Sequence, residues 1–177
     1  IMDGNGRWGI KNKGSRNQGH NHGTKTVETI IEAAIEKKIK FLTLYTLSTE
    51  NWKRPVKEIK YLLNLLERFI DKELKNLSNK NIKIKILGNI KKFPKTLRNK
   101  LKKTEKETRL NKTIQINIAL NYGSRQELIN SIKKINKKKL VINEKNISNH
   151  MYTSNIPDPE ILIRTGNTRR LSNFLMW

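Results

Sequence analysis

Short β-branched runs alternate with longer amphipathic stretches along the chain, and this alternation constrains the fold more than any other feature. Four runs have the length and composition of strands, at residues 41–47, 82–87, 114–120 and 160–164. Apolar residues at helical spacing predict helices at residues 26–38, 56–77, 94–111 and 124–137. Strands that alternate with helices form parallel pairs through crossover connections. We therefore predict an α/β fold with a single, mainly parallel β-sheet covered by helices.

The size of the chain predicts one domain that spans residues 1–177. It contains no cysteine, which excludes disulfides and thiolate metal sites. Its longest apolar runs have the length of strands, and no signal peptide precedes the first motif, so we expect a cytoplasmic protein without a membrane span. The Asn- and Lys-rich stretch at residues 136–150 is interpreted as a surface connection with one short helix.

The formal charge of +23 is the most unusual feature of the composition. A basic balance of this size suggests nucleic acid or an anionic membrane as a partner. The excess is mostly Lys, however, and it is spread over every segment, whereas a nucleic-acid surface concentrates charge on one face and adds aromatic residues. Aromatic residues make up only 6% of this chain. We interpret the lysines as a solvated shell and expect no nucleic-acid partner.

The first polar motif, MDGNGRW, begins at Met2. In parallel sheets ligands gather beyond the carboxyl ends of the strands, and we interpret Ile1 and Met2 as the end of a strand that is followed by a turn. Glycines in such a turn let the backbone approach a ligand, and successive N–H groups can bind an anion. The twelfth position from Asp3 is Gly14, which excludes an EF-hand loop, and the third glycine of a dinucleotide fingerprint is missing. An ordinary turn remains the alternative.

The second polar motif, GSRNQGHNHG, places Arg16 and His20 in what we predict to be a glycine-broken loop before a helix. Cationic side chains near the start of a helix are suited to binding a diphosphate. A metal site formed by His20 and His22 is the alternative, although no acidic third ligand lies nearby in the sequence.

Two further polar segments follow predicted strands, one after residues 41–47 and one after residues 160–164. LSTENWKRP carries hydroxyl, carboxylate, amide and guanidinium groups, which favours a ligand site. Alternatively, Ser48 and Thr49 cap the next helix and Trp52 is a core residue. RTGNTRRLSNFLMW forms a second predicted anion site from Arg164, Arg169, Arg170, Ser172 and Asn173. The residues alone thus indicate two anion sites, one carboxylate and no nucleophile–base pair, which fits diphosphate chemistry with one divalent metal ion.

The predicted helix at residues 56–77 carries a broad apolar stripe. Such a stripe is typical of a core-facing helix, and some of its side chains are alternatively the wall of an apolar channel. Its members are Ile59, Leu62, Leu63, Leu66, Phe69, Ile70, Leu74 and Leu77.

Taken in order, the blocks MDGNGRW, GHNHGTKTV, LYTLSTENWKRP, NIALNYGSRQEL and PDPEILIRTGN-TRRLSNFLMW resemble the signature blocks of the cis-prenyltransferases, with bacterial undecaprenyl diphosphate synthases nearest in pattern. The resemblance implies an enzyme that adds isopentenyl diphosphate units to an allylic diphosphate such as farnesyl diphosphate, with cis double bonds. It implies Mg²⁺ as cofactor, a homodimer, and a polyprenyl diphosphate product that carries cell-wall precursors and brings the enzyme into peripheral contact with the membrane.

The resemblance also implies roles for individual residues. Asp3 would bind Mg²⁺ and, with Asn51, act in catalysis. The allylic diphosphate would be held by Gly4, Asn5, Gly6, Arg7, Trp8, Arg16 and His20. The isopentenyl diphosphate would be held by Arg164, Arg170 and Ser172. The loop over the reacting atoms would consist of Ser48, Thr49, Glu50, Asn51, Trp52 and Arg54, with Glu58 at its hinge. Ile114 matches a deep strand position where bulk limits the length of the product.

The sequence departs from the family pattern at several positions. Thr168 stands where Glu is usual, Glu160 where Asp is usual, Asn167 replaces a small residue, and Leu47 replaces an aromatic residue. We expect most of the first strand to be missing, together with a segment after Trp177 that carries a second metal-binding Glu and much of the dimer contact. The metal site would then consist of Asp3, substrate oxygens and water. A non-catalytic or weakly active partner subunit of the same fold is the alternative function.

Overall fold

The fold is described from a computed structural model, which gives the backbone of residues 1–177 and the side chains of residues 1–72 and 80–177. Within this described part a parallel sheet contains three strands, β1 (Phe41–Ser48), β2 (Ile82–Leu87) and β3 (Ile114–Tyr122), in the order β1-β3-β2. Six α-helices surround it: α1 (Asn5–Lys13), α2 (Arg16–Glu36), α3 (Val56–Asn79), α4 (Lys95–Thr108), α5 (Ser124–Lys137) and α6 (Glu144–His150). The predicted α/β class and the parallel sheet are confirmed. No helix of the described residues is long and apolar enough to cross a membrane.

Strand β3 lies at the centre of the sheet and is buried almost throughout. Its residues face β1 on one side and β2 on the other, with Ile118 opposite Leu44 and Ile116 opposite Ile84. Parallel strands that are covered on both faces read as continuous apolar runs. The main core therefore forms where side chains of β3 meet those of α2, α3 and α4.

An aromatic cluster covers part of the sheet near the carboxyl ends of the strands. Tyr45 of β1 stacks on Phe174, with ring centroids 4.3 Å apart, and Tyr122 of β3 meets both rings edge-on. The Tyr45 hydroxyl donates hydrogen bonds to Tyr122 O at 3.2 Å and Ser172 O at 3.3 Å. These contacts attach the last part of the chain to the sheet at the end where ligands gather in such folds.

The prediction of a fourth strand at residues 160–164 is wrong. Ile161 and Ile163 are 79% and 72% exposed, and the segment forms no strand. Its backbone pairs with the first residue of the chain: the Ile1 amine donates to Ile163 O at 2.6 Å, and Thr165 N donates to Ile1 O at 3.2 Å. The predicted strand end at Ile1 and Met2 is likewise not a strand. β-branched residues stabilise a strand only when a neighbouring strand supplies the ladder and covers a face.

The predicted turn at residues 3–7 and the predicted glycine-broken loop around Arg16 are both wrong, because α1 begins at Asn5 and α2 at Arg16. The glycines of these segments do not interrupt the helices but let them touch. A Cβ atom on Gly19 would lie 1.9 Å from Asn5 O and 2.8 Å from Gly9 Cα. The two backbones therefore approach more closely than any larger residue allows, and this contact overrides the low helix propensity of glycine.

The remaining helices follow the predicted pattern. Helix α5 has the predicted bounds, α3 and α4 differ from the prediction by a few residues at their ends, and α6 is the short helix expected within residues 136–150. The apolar stripe of α3 packs on the core or faces a cavity, as described below. The side chains of two members of the stripe, Leu74 and Leu77, lie outside the described residues.

Helix α4 covers the outer edge of β2. Thr108 Oγ1 accepts a hydrogen bond from Ile84 N at 3.0 Å, and Glu105 Oε1 accepts one from Ile86 N at 2.7 Å. Unpaired backbone groups on an edge strand would otherwise be open to pairing with another chain. Side chains of a helix here take the place of the missing neighbouring strand.

Candidate active site

A cavity of about 630 Å³ lies at the carboxyl ends of β1 and β3. Its polar lining comes from the start of α1, from α2, from the segment after β1 and from the last part of the chain. Its apolar lining comes from within the strands and from α2 and α3: Val27, Leu44, Leu62, Leu63, Leu65, Leu66, Phe69, Ile118 and Leu120. The cavity thus joins a group of charged side chains to an apolar compartment.

Asp3 is the centre of the polar side of the cavity. Its Oδ2 accepts hydrogen bonds from Arg164 Nη2 at 2.9 Å and Thr168 Oγ1 at 3.1 Å. Its Oδ1 accepts from Gly4 N at 2.7 Å and Arg7 Nη2 at 3.3 Å. Burial opposes ionisation of this carboxyl, but the hydrogen bonds from Arg164, Thr168 and Gly4 outweigh it and lower the pKa of Asp3 to about 2. Asp3 is therefore a carboxylate throughout the physiological range of pH.

The loop that follows Arg164 returns to the start of the chain. Arg164 Nη1 donates to Ser172 Oγ at 2.8 Å and to the carbonyl of Arg170, so one guanidinium connects Asp3 to the second predicted anion site. The approach is close because two glycines meet there: a Cβ atom on Gly4, whose φ is +93°, would lie 3.1 Å from Gly166 Cα. The structure thus brings together Asp3 and residues more than 160 positions later in the chain.

A second cationic group forms around Glu58 of α3. Its Oε1 lies 2.9 Å from Arg54 Nη1, 3.3 Å from Arg16 Nη2 and 3.4 Å from His20 Nε2. Burial lowers the pKa of His20, although the nearby Glu58 carboxylate opposes this shift. Arg16, His20 and Arg54 line the cavity, and Glu58 stands behind them. The group has two guanidinium charges against one carboxylate, so the wall of the cavity is net positive here and favours an anion.

The segment after β1 forms a 3₁₀ turn, Thr49–Lys53, that faces the cavity on one side. Ser48 and Asn51 cap this turn reciprocally, and Ser48 N donates to Asn51 Oδ1 at 3.0 Å. Ser48 thus caps this turn and not the predicted helix at residues 56–77, and Ser48, Glu50, Asn51 and Arg54 also line the cavity. Burial opposes ionisation of Glu50, but the hydrogen bond from Asn173 Nδ2, at 2.8 Å, helps to lower its pKa.

Several residues singled out in the sequence are not among the described residues that line the cavity: Trp8, Thr49, Trp52, Glu58, Ile114 and Arg169. Trp8 stacks on His22 with ring centroids 4.6 Å apart, and Thr49 lies beside Gly123. Trp52 faces away from the cavity and packs near Phe93. Ile114 is buried in the main core. Their proposed contacts with substrate stay predictions.

Sequence reasoning missed Arg125 as a site residue, whereas it included Asn173 in the second predicted anion site. Both line the cavity. Asn173 Oδ1 accepts from Arg125 N at 2.9 Å, and Asn173 O accepts from Ser124 N at 2.8 Å. Arg125 follows the end of β3 by three positions, so the rule that ligands gather beyond strand ends would have found it.

The residues present fit a magnesium ion held by one carboxylate. Among the described residues no group of three or more His, Cys, Asp or Glu side chains could hold a metal ion. This excludes the metal site considered for His20 and His22 within that part of the chain. Mg²⁺ is commonly bound through one or two carboxylates, with phosphate and water oxygens as its other ligands. Asp3, ionised and in contact with the guanidinium groups of Arg7 and Arg164, is suited to that arrangement.

Comparisons with known proteins show the family to which the chain belongs. The family model described as "Putative undecaprenyl diphosphate synthase" matches residues 1–177. An isoprenyl transferase of Halalkalibacterium halodurans is 43% identical over all of this chain and 72% of its own length, and one of Clostridium tetani is 41% identical over the same shares.

Two solved structures share the fold. A probable undecaprenyl diphosphate synthase from Campylobacter jejuni is 35% identical, with a TM-score of 0.82 over 89% of this chain and 76% of its own. The lavandulyl diphosphate synthase from Lavandula x intermedia, solved with dimethylallyl diphosphate, is 28% identical, with a TM-score of 0.92 over 100% of this chain and 80% of its own. The chain therefore belongs to the prenyltransferase family of undecaprenyl diphosphate synthases and isoprenyl transferases.

Proposed function

We propose that the protein is a Mg²⁺-dependent cis-prenyltransferase that adds isopentenyl diphosphate units to an allylic diphosphate such as farnesyl diphosphate. The observation that carries this proposal is the contact between Asp3 and Arg164 at the mouth of an apolar cavity. It places one carboxylate between two groups of cationic side chains, which suits two diphosphate heads and one metal ion. The cis-prenyl elongation chemistry of the family points the same way.

The allylic diphosphate is proposed to bind where Arg7, Arg16 and His20 line the cavity. The reaction begins when the allylic C–O bond breaks, and the chain's donors stabilise the negative charge that collects on the departing diphosphate. Mg²⁺ held at Asp3 would add further charge neutralisation on the same oxygens. No protein nucleophile is needed for such a step. A related synthase that has been solved with dimethylallyl diphosphate supports an allylic diphosphate as the substrate class.

The isopentenyl diphosphate is proposed to bind at Arg164, Arg170 and Ser172, which line the cavity together. Holding the second substrate in place turns a bimolecular step into a positioned one. Condensation forms one C–C bond, releases pyrophosphate and removes one proton from the added unit. Asn51 accepts a hydrogen bond from Ser48 N and lines the cavity, and it is proposed to orient the reacting groups.

The growing hydrocarbon tail is proposed to enter the apolar part of the cavity, between α2, α3 and the strands. Leu44, Leu62, Leu66, Phe69 and Ile118 line it. We further propose a long polyprenyl diphosphate as the product and its use as a lipid carrier for cell-wall synthesis. A homodimer in the cytoplasm, in peripheral contact with the membrane through the lipid product and the surface lysines, completes the proposal.

The test is incubation of the purified protein with Mg²⁺, farnesyl diphosphate and labelled isopentenyl diphosphate, followed by butanol extraction. Labelled lipid is expected from the wild type, and none from Asp3→Ala. Asp71→Ala, which removes an exposed carboxylate outside the cavity, is the matched control and is expected to remain active. Absence of product from folded wild-type protein would overturn the proposal and favour the non-catalytic partner subunit. Activity of folded Asp3→Ala would overturn the metal assignment.

A further inference from the structure

We propose that Asn121 is a positioning residue that fixes the active-site turn Thr49–Lys53 through the indole of Trp52. This inference rests on the proposed function, because the turn acts only if the cavity is the site of prenyl transfer. Asn121 lies near the end of the central strand β3, is 8% exposed, and has a left-handed backbone conformation with φ of +46°.

The side-chain amide of Asn121 bonds to both neighbouring strand ends. Its Oδ1 accepts a hydrogen bond from Trp52 Nε1 at 2.7 Å, and its Nδ2 donates to Asn89 O at 2.5 Å. Trp52 belongs to the turn after β1, and Asn89 to the turn after β2. Because β3 lies between β1 and β2, one amide at its end reaches both turns. The bond from Trp52 is short and uses the only polar group of the indole.

The turn after β2 and the Trp52 ring both pack closely around the Asn121 amide. A Cβ atom on Gly88, whose φ is +124°, would lie 2.2 Å from Leu120 O, so the turn after β2 is pressed against the end of β3. The Trp52 ring packs near Phe93, with centroids 6.0 Å apart, and Lys92 Nζ lies 5.8 Å from its centre. Trp52 is therefore held on its faces by packing and at its edge by Asn121.

The turn carries its functional groups on the side opposite to Trp52. Glu50 and Asn51 line the cavity, as does Arg54 directly after the turn, and Trp52 does not. The side chains have further hydrogen bonds to Ser48, Asn173 and Glu58, and the bond from Trp52 to Asn121 adds the tie between the turn that carries them and the end of β3. Asn121 acts through Trp52 and touches no group that would bind substrate, which makes its role one of positioning.

The test uses Asn121→Gly, since glycine adopts the left-handed backbone without steric strain and the change removes the side chain that bears the amide. The matched control is Asn81→Gly. Asn81 is also left-handed, with φ of +54°, and its Oδ1 accepts a hydrogen bond from Lys112 N at 3.2 Å, at the opposite end of the sheet. Trp52→Phe is the second variant, because it keeps an aromatic ring and removes the N–H donor.

Two readouts are measured. Hydrogen exchange of the three indole N–H groups is followed by NMR in the ligand-free protein, with Trp52 assigned by its loss in Trp52→Phe. Steady-state assays give kcat and KM for both diphosphates. In Asn121→Gly the Trp52 N–H is expected to exchange at least about tenfold faster, and kcat to fall about tenfold, as for the loss of one such hydrogen bond in the transition state. KM is expected to change less than about threefold.

Each outcome decides the inference. Asn81→Gly should match the wild type in both readouts. The double variant Asn121→Gly/Trp52→Phe should lose no more kcat than the worse single variant, because both changes break the same bond. Unchanged Trp52 N–H exchange in Asn121→Gly, an unchanged kcat, or additive losses would overturn the role of Asn121. A wild type without transferase activity would overturn the proposed function instead, and the exchange measurement keeps the two failures apart.

Discussion

The contact between α1 and α2 predicts that Gly19→Ala disables the site although the change removes none of the polar side chains of the site. The new Cβ atom would lie 1.9 Å from Asn5 O and 2.8 Å from Gly9 Cα. Both neighbours belong to the backbone of α1, so no side chain can rotate away. The two helices would have to separate by about 1 Å to restore ordinary contact.

Two opposing effects set the change in stability. Replacing a helical glycine by alanine contributes about 1 kcal/mol of helix propensity, whereas overpacking a closely packed interior costs roughly 1–3 kcal/mol. Since backbone atoms block the new methyl group, we take the upper end of that range. The free energy of unfolding is then expected to decrease by about 2 kcal/mol.

The effect on activity is expected to be larger. Helix α1 carries Arg7, and α2 carries Arg16 and His20, so separating the helices moves the two sides of the proposed diphosphate site apart. A misplacement of about 1 Å in such a site can reduce the rate about 100-fold. Urea unfolding and steady-state kinetics measure the two effects. Asn21→Ala, on the exposed face of α2, is the control for propensity alone. A Gly19→Ala protein that is at least as stable as the wild type, with unchanged kinetics, would refute the reasoning.

Three further predictions concern single hydrogen bonds and charges. Thr168→Val removes a donor to Asp3, so the pKa of Asp3 should rise above about 2 in an NMR titration, and an unchanged value would contradict its contact with Thr168. Tyr122→Phe leaves the buried Glu127 carboxyl without the Tyr122 O–H donor and should lower the free energy of unfolding by about 1–3 kcal/mol in urea. Burial raises the pKa of Glu127 although hydrogen bonds from Tyr122 and Tyr152 N oppose it, so the folded state binds this proton more tightly than the unfolded state does. The free energy of unfolding should therefore fall as the pH rises above 4.5, with a smaller fall in Glu127→Gln.

The sequence correctly predicted the helices and strands whose spacing of apolar residues matches the faces that they bury. Strand β3 and helix α5 show the periodicity of the faces they bury, and Ile116 and Ile135 are both almost completely enclosed. The strand predicted at residues 160–164 had the same composition but lacks a neighbouring strand, and the pairing of strands is set by distant parts of the chain. Ile161 shows that β-branched residues alone do not decide the matter.

Glycine was the main source of error near the start of the chain. Gly6 and Gly19 were interpreted by their intrinsic preference for turns, yet each lies inside a helix because its missing side chain makes room for the other helix. Local propensity holds only where tertiary packing does not override it. The same helix contact brings Arg16 and His20 to the cavity. The sequence therefore predicted these residues at the site, but it assigned them to a loop and not to a helix.

The polar residues of the site were predictable from their motifs, although the strands expected before them do not form. Asp3 was assigned to a metal site and Arg164 to an anion site, and the structure places them in direct contact although neither follows a strand. The orientation of Trp52 was not predictable, because it depends on a left-handed residue, Asn121, in another strand. A short motif indicates which side chains a loop contains, but it does not predict which of them face the cavity.

Helix α4 covers the outer edge of β2, and this contact affects how readily the protein aggregates at high concentration. With Thr108 and Glu105 occupying Ile84 N and Ile86 N, that side of the sheet offers few backbone donors to a strand from another molecule. Growth of intermolecular β-structure from this edge would first require α4 to detach. Conditions that loosen α4, more than those that disturb the cavity, should therefore set the onset of aggregation.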